Sequence, residues 1–132
     1  MTYFISGHRD ITQDEFDRIY KQKILETIEN DNNCKFVIGD YHGVDTMAQQ
    51  YLSDLCHEQP HMINPKDITV YHMFEKPRNL VNTDFNTSGG YKTDEERDSA
   101  MTKVSDKDIA FVRRGKYKSG TAQNIVRRYS FD

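Results

Sequence analysis

The sequence predicts an α/β fold, a mainly parallel sheet flanked by helices on both faces to give a three-layer sandwich. Short apolar runs at Tyr3-Phe4-Ile5, Lys35 to Ile38, Ile68 to Tyr71 and Ile109 to Val112 alternate with segments whose apolar residues recur at helical spacing. Strands separated by helices imply right-handed crossovers between parallel strands. The 132 residues suffice for one core, so residues 1–132 read as a single domain.

In chain order, the first strand stops at Ser6-Gly7. A helix from Thr12 to Glu29 follows, with Phe16, Ile19, Tyr20, Ile24, Leu25 and Ile28 on its inner face. Thr12 and Glu15 have the spacing of a capping box. The second strand ends at Gly39, and after the loop "GDYHGVD" a helix carries Met47, Ala48, Tyr51, Leu52 and Leu55. The third strand, Ile68 to Tyr71, precedes the longest expected loop, Pro77 to Tyr91, rich in Asn, Thr, Ser and Gly. A loop of that length in a compact domain suggests a functional or mobile segment. Thr93 and Glu96 form a second candidate capping box, opening a helix through Met101 and Val104. The fourth strand is Ile109 to Val112, and the last helix runs from about Thr121 to Arg128.

Ligands in such sheets bind beyond the carboxyl ends of the strands. That rule selects four polar clusters expected to face one crevice: Ser6 to Asp10, Gly39 to Asp45, Glu75 to Asn79, and Arg113 to Thr121. In the first, Gly7 allows close backbone approach. Arg9 is either a phosphate ligand or one half of a surface ion pair with Asp10. His8 titrates near neutrality and is a candidate acid or base, or a plain hydrogen-bonding residue. In the second, Gly39 and Gly43 permit sharp turns, and Asp45 either caps the next helix or bonds a ribose hydroxyl. Asp40, His42 and Asp45 lack metal-ligand spacing, so no metal and no cofactor are expected. The fourth cluster is the strongest: Ser119-Gly120-Thr121 opens a helix whose N-terminal amides and dipole favour an anion, with Arg113, Arg114, Lys116 and Lys118 supplying charge. Neither a Walker motif nor a Gly-x-Gly-x-x-Gly run is present.

These residues, taken in order, resemble the SLOG superfamily of Rossmann-like proteins, and within it the small stand-alone branch related to YspA and YpsA. The resemblance is carried by Ser6-Gly7-His8-Arg9-Asp10, by Gly39 to Asp45 including Gly43 and Val44 with Ala48 beyond, by Arg97-Asp98-Ser99-Ala100-Met101, and by Ala110-Phe111 with Ser119-Gly120-Thr121. It implies a site for a nucleotide or nucleotide-derived ligand, contacted by Ser6, Gly7, His8, Arg9, Gly39, Asp40, Gly43, Val44, Asp45, Arg97, Met101 and Ser119 to Thr121. More distantly, the chain is similar to cytokinin-activating phosphoribohydrolases and nucleoside deoxyribosyltransferases, in which a glutamate on the last helix does the chemistry. Here that region reads Ala122-Gln123-Asn124. An amide is neither nucleophile nor proton acceptor. A binding module is therefore the first expectation. The alternative is cleavage of the base–sugar bond of a nucleoside monophosphate, with Arg97 holding substrate and a replacement carboxylate from Asp45, Glu75 or Glu96.

Charge and composition narrow the partners. A formal net charge of -3 disfavours general attraction to nucleic acid, and no apolar run approaches the roughly 20 residues of a membrane span. The N-terminus lacks signal-peptide character, which makes a cytoplasmic location the expectation. Cys34 and Cys56 read as buried or idle thiols. Self-association is left open.

Overall fold

The computed structural model describes residues 1–116 and 119–131. It is an α/β sandwich of the Rossmann-like type, built on a five-stranded, all-parallel sheet in the order β4-β3-β2-β1-β5. The strands are β1 (Thr2–Ser6), β2 (Lys35–Gly39), β3 (Ile68–Met73), β4 (Asn86–Tyr91) and β5 (Lys107–Ala110). From β1 the chain steps outward through β2, β3 and β4, then crosses back to place β5 on the other side of β1. The direction of winding therefore reverses between β1 and β5, and a crevice opens there at the carboxyl ends of the strands.

One face carries the larger core. Alternation along the strands sends Ile5, Phe36, Ile38, Ile68 and Val70 to this side. They meet Phe16, Tyr20, Ile24 and Ile28 of the first helical unit and Ala48, Leu52 and Leu55 of α3 (Val44–Glu58). The intervening strand residues Phe4, Val37 and Tyr71 face the other way and pack with Met101 of α4 (Asp94–Val104). α5 (Gly120–Phe131) lies beside α4 on that face. Arg128 fastens α5 to the end of β5, donating to Asp108 at 2.8 Å and 2.9 Å and to the Ser105 carbonyl at 2.7 Å.

The first helical unit comprises α1 (Gln13–Phe16), a π turn (Asp17–Lys21) and α2 (Gln22–Asn30). The expected capping box is present: Thr12 Oγ1 accepts from the Glu15 amide at 3.2 Å and Glu15 Oε1 accepts from the Thr12 amide at 3.1 Å. The sequence explains the π turn. Phe16, Tyr20, Ile24 and Ile28 are all buried and lie strictly four apart, a spacing that walks around an α-helix by about 40° per step. One wider turn takes up part of that drift and keeps the series facing the sheet.

Three expectations need correction. The Pro77–Tyr91 segment is not all loop: Asn86–Tyr91 is the edge strand β4. Its composition, "NTSGGY", carries no apolar run to reveal it, and it is held by pairing with β3. The remainder is anchored, since Gln49 donates to the Gly39 and Asn79 carbonyls and accepts from the Val81 amide. The last strand is Lys107–Ala110, earlier than Ile109 to Val112, leaving Phe111 half exposed beyond its end. Finally, Thr93 caps α4 by accepting from Glu96 N–H, but the Glu96 carboxylate accepts from Lys92 N–H at 2.8 Å and completes no box.

Candidate functional site

A cavity of about 650 Å³ occupies the crevice on the α4–α5 side of the sheet. Phe4 and Met101 form apolar wall, and the ends of β1 and β2 contribute Ser6, Gly7 and Gly39. His8, Arg9, Asp45, Arg97, Ser119, Gly120 and Thr121 also line it. Most of the sequence-selected residues thus meet in one place, joined by Tyr41, His42, Asp94, Asp98, Lys116 and Asn124.

Ser6 is only 6% exposed, and its hydroxyl has no hydrogen-bond partner among the described residues. A buried hydroxyl in that state costs on the order of 1–3 kcal/mol until something bonds it. Its backbone is fixed from behind: the Tyr20 hydroxyl donates to the Ser6 carbonyl at 2.8 Å and accepts from the Phe111 amide at 3.0 Å, tying the ends of β1 and β5 together. Burial pushes the Tyr20 hydroxyl pKa up to about 12, so it remains a donor. The space left by Gly7 is filled by Val44 and the Tyr20 hydroxyl rather than open to a ligand. Gly120 is the opposite case, because a Cβ there would meet nothing within 4 Å. Ser119 Oγ accepts from the Ala122 amide at 3.2 Å and so caps α5, whose start at Gly120 stands at an open position.

The side chains at the α4 end form a charge network. Asp40 is fully buried and accepts from the Arg78 amide at 2.8 Å, from Arg78 Nη2 at 2.8 Å and from Arg97 Nη1 at 2.8 Å. Burial opposes its ionisation, but the Arg78 bonds outweigh burial and hold its pKa below the ordinary value. Arg97 also holds Asp98 through Nε and Nη2 at 3.1 and 2.9 Å and approaches Asp94 at 3.1 Å. Asp98 nevertheless has a raised pKa, because burial outweighs its bonds to Arg97 and Asn124. Tyr41 lies under the Arg78 guanidinium at 4.6 Å and accepts from Arg9 at 3.1 Å.

Asp45 is buried and its Oδ2 accepts from the Tyr41 amide at 3.1 Å. The α3 cap position belongs to Gly43, so Asp45 is not the cap. Burial raises its pKa from 3.8 to about 7, with Arg97 offsetting only part of the effect. The folded carboxyl therefore keeps a proton that an unfolded one releases, and stability falls as pH rises between those values. Asp45→Asn is expected to flatten that fall and to stabilise the protein above pH 7 by up to about 4 kcal/mol, the equivalent of roughly 3 pKa units. Urea unfolding at pH 5 and pH 8 checks this.

Several sequence expectations fall outside the cavity or into other work. Glu96 is exposed and bonded to Lys92, and Glu75 and the Glu75–Asn79 cluster do not line the site; Arg78 instead secures Asp40. Asp40 and Val44 are buried structural residues without a place in the lining, and Gly43 acts behind it. Arg97 is committed to three carboxylates, which removes it as a free substrate clamp. His8 Nε2 accepts from the Arg113 amide at 2.9 Å, and burial followed by the Arg113 charge lowers its pKa, so the ring is a neutral acceptor rather than a free acid or base. Arg113 pairs with Asp10 and Glu15, and Arg114 is exposed outside the cavity, so that among the described residues of this loop Lys116 is the cation lining the site. Lys118 lies outside the described residues. Asp98 is the buried charged residue of the site that the sequence reading missed, along with Phe4, Tyr41 and Asp94 of the lining. Its only sequence signal is its place beside Arg97 one turn before Met101, a spacing that puts it on the inner side of α4. Neither family models nor curated proteins match the chain.

Proposed function

We propose that the chain is a SLOG-like domain that binds a nucleotide or nucleotide-derived ligand at the carboxyl ends of β1, β2 and β5. The observation that carries this reading is the pairing, in one cavity, of the orphaned Ser6 hydroxyl with the open N-terminus of α5 at Gly120. Buried polar groups without partners are rare in folded proteins, and a helix N-terminus favours an anion. Arg9 and Lys116 stand at the same cavity and add charge for a phosphate. The cavity volume suits a small molecule.

A second reading, hydrolysis of the base–sugar bond, is favoured by Asp45. A carboxyl that titrates near pH 7 inside the cavity is suited to proton transfer at that pH. Asp45 takes the part that Glu96 cannot reach.

The test is incubation with a panel of nucleoside monophosphates, dinucleotides and cyclic nucleotides, followed by separation of bound ligand, free ligand and released base. Retention of an intact nucleotide is expected, weakened about tenfold or more by Gly120→Glu, whose Cβ meets nothing within 4 Å and whose carboxylate brings like charge to the start of α5. Release of free base that stops in Asp45→Asn would favour the hydrolase. Neither a retained nucleotide nor a released base across the panel would overturn both readings.

A further inference from the structure

The two edges of the sheet are built differently. An edge strand turns alternate backbone N–H and C=O groups outward with no neighbour, and proteins ordinarily guard such a row with short strands, charge or proline. β5 is guarded in this way: it is four residues long, opens on Lys107 and Asp108, and has Asp108 gripped by Arg128 of α5. β4 is six residues long and reads "NTSGGY", with neither charge nor proline. Thr87, Gly89 and Gly90 are exposed along it, and no strand lies beyond it among the described residues. Gly89 is explained from within, because a Cβ there would strike the ring of buried His72. Gly90 has φ +91 and a bare outer side, at a bulge where β4 carries one residue more than β3 between Ser88 and Tyr91. Beside it, Phe74 is 63% exposed and is fastened to the end of β4: its amide donates to the Tyr91 carbonyl at 2.9 Å and its carbonyl accepts from the Gly90 amide at 2.8 Å.

Charge selects what covers this edge. Asp84 and Lys92 flank the strand, both exposed, and neither side chain has an ion-pair partner among the described residues. Reversing the direction of the segment exchanges the signs of its ends, so a second copy laid antiparallel matches the first. The geometry points to β4 as a self-association edge, at which two copies of the chain pair antiparallel about a two-fold axis and join their five-stranded sheets into one. With the bulge counted, pairing centred on Thr87 or Ser88 brings Asp84 of each copy to within about one residue, roughly 3.3 Å along the strand, of Lys92 of the other. The flexible lysine stem closes that gap. A parallel arrangement in register would set like charges together. Backbone bonds and one exposed aromatic from each copy make a small contact, so the pairing is reversible. It stands independently of the ligand reading above.

Sedimentation equilibrium of the full chain over a dilution series should show a reversible equilibrium between monomer and dimer. Asp84→Lys sets lysine against lysine at both ends of the pairing, and Lys92→Asp sets aspartate against aspartate. Each is expected to weaken the dimer by about tenfold or more. The double variant Asp84→Lys/Lys92→Asp restores the opposition with its signs exchanged, and should return the dissociation constant to within about threefold of the parent. The unaltered chain supplies an independent check, since a pairing aligned by exposed charges loosens as salt rises. A chain that stays monomeric throughout the series would overturn the inference. So would a dimer indifferent to salt, one that the single reversals leave intact, or one that the double variant fails to restore, since each places the contact elsewhere.

Discussion

Arg97→Ala is expected to lower the unfolding free energy by about 3–5 kcal/mol, the usual consequence of removing one partner from a buried ion pair. Three carboxylates lose a guanidinium at once. Asp40 retains Arg78, but Asp98 is left with Asn124 as its remaining hydrogen-bond partner. Its pKa is already above the ordinary value and will climb further, so the loss should be smaller near pH 4, where Asp98 takes up a proton, than at pH 8. Arg97→Lys should recover less than half of the loss, because an ammonium cannot present the forked donors that now reach Asp40 and Asp98 together. Urea unfolding of the three proteins at both pH values measures this. Equal stability of the alanine variant and the parent would mean that the network contributes nothing net.

Gly43→Ala is expected to cost on the order of 3 kcal/mol or more, through two effects that add. The residue has φ +83, which alone costs a side chain roughly 1–3 kcal/mol. Its Cβ would also fall against the Cα, carbonyl carbon and oxygen of Arg9, which are backbone and cannot turn aside. Gly115 supplies the control. Its φ of +86 is nearly the same, but a Cβ there meets nothing within 4 Å, so Gly115→Ala should show the dihedral cost alone. The difference between the two variants in denaturant unfolding isolates the collision. Gly43→Ala should also displace Arg9 from Tyr41 and weaken phosphate binding, an effect absent from the Gly115 variant.

The contrast between these two predictions explains what the sequence disclosed and what it withheld. Local pattern marked β1, β2, β3 and the helices, because apolar spacing is set by which face each residue buries. It also brought Ser6, Gly7, Arg9, Asp45 and Ser119 to Thr121 to one crevice, since strand order in a parallel sheet fixes where the loops emerge. Partnerships across long separations were invisible. Asp40 meets Arg78 and Arg97, 38 and 57 residues away, and nothing in "GDYHGVD" distinguishes a carboxylate held by arginine from one offered to a ligand. Edge strand β4 was hidden for a related reason: its stability comes from β3 and not from its own side chains. Glu96 looked available because its neighbour Lys92 offers a backbone amide, which no residue pattern records.

The π turn at Asp17–Lys21 sets a phase between two parts of one helix. Upstream of it, the capping box and Glu15 are fastened to Arg113, the loop leading to α5; downstream, α2 is seated on the sheet. Within it, Tyr20 reaches the backbone at the ends of β1 and β5. Excising a single residue from the α-helical part between Glu15 and Tyr20, with the π turn kept, would rotate one half against the other by about 100°. The clamp on β1 and β5 and the tether to Arg113 could not then both engage. The helix thus acts as a keyed shaft, whose length in residues, rather than the identity of any exposed side chain, keeps the two walls of the crevice in register.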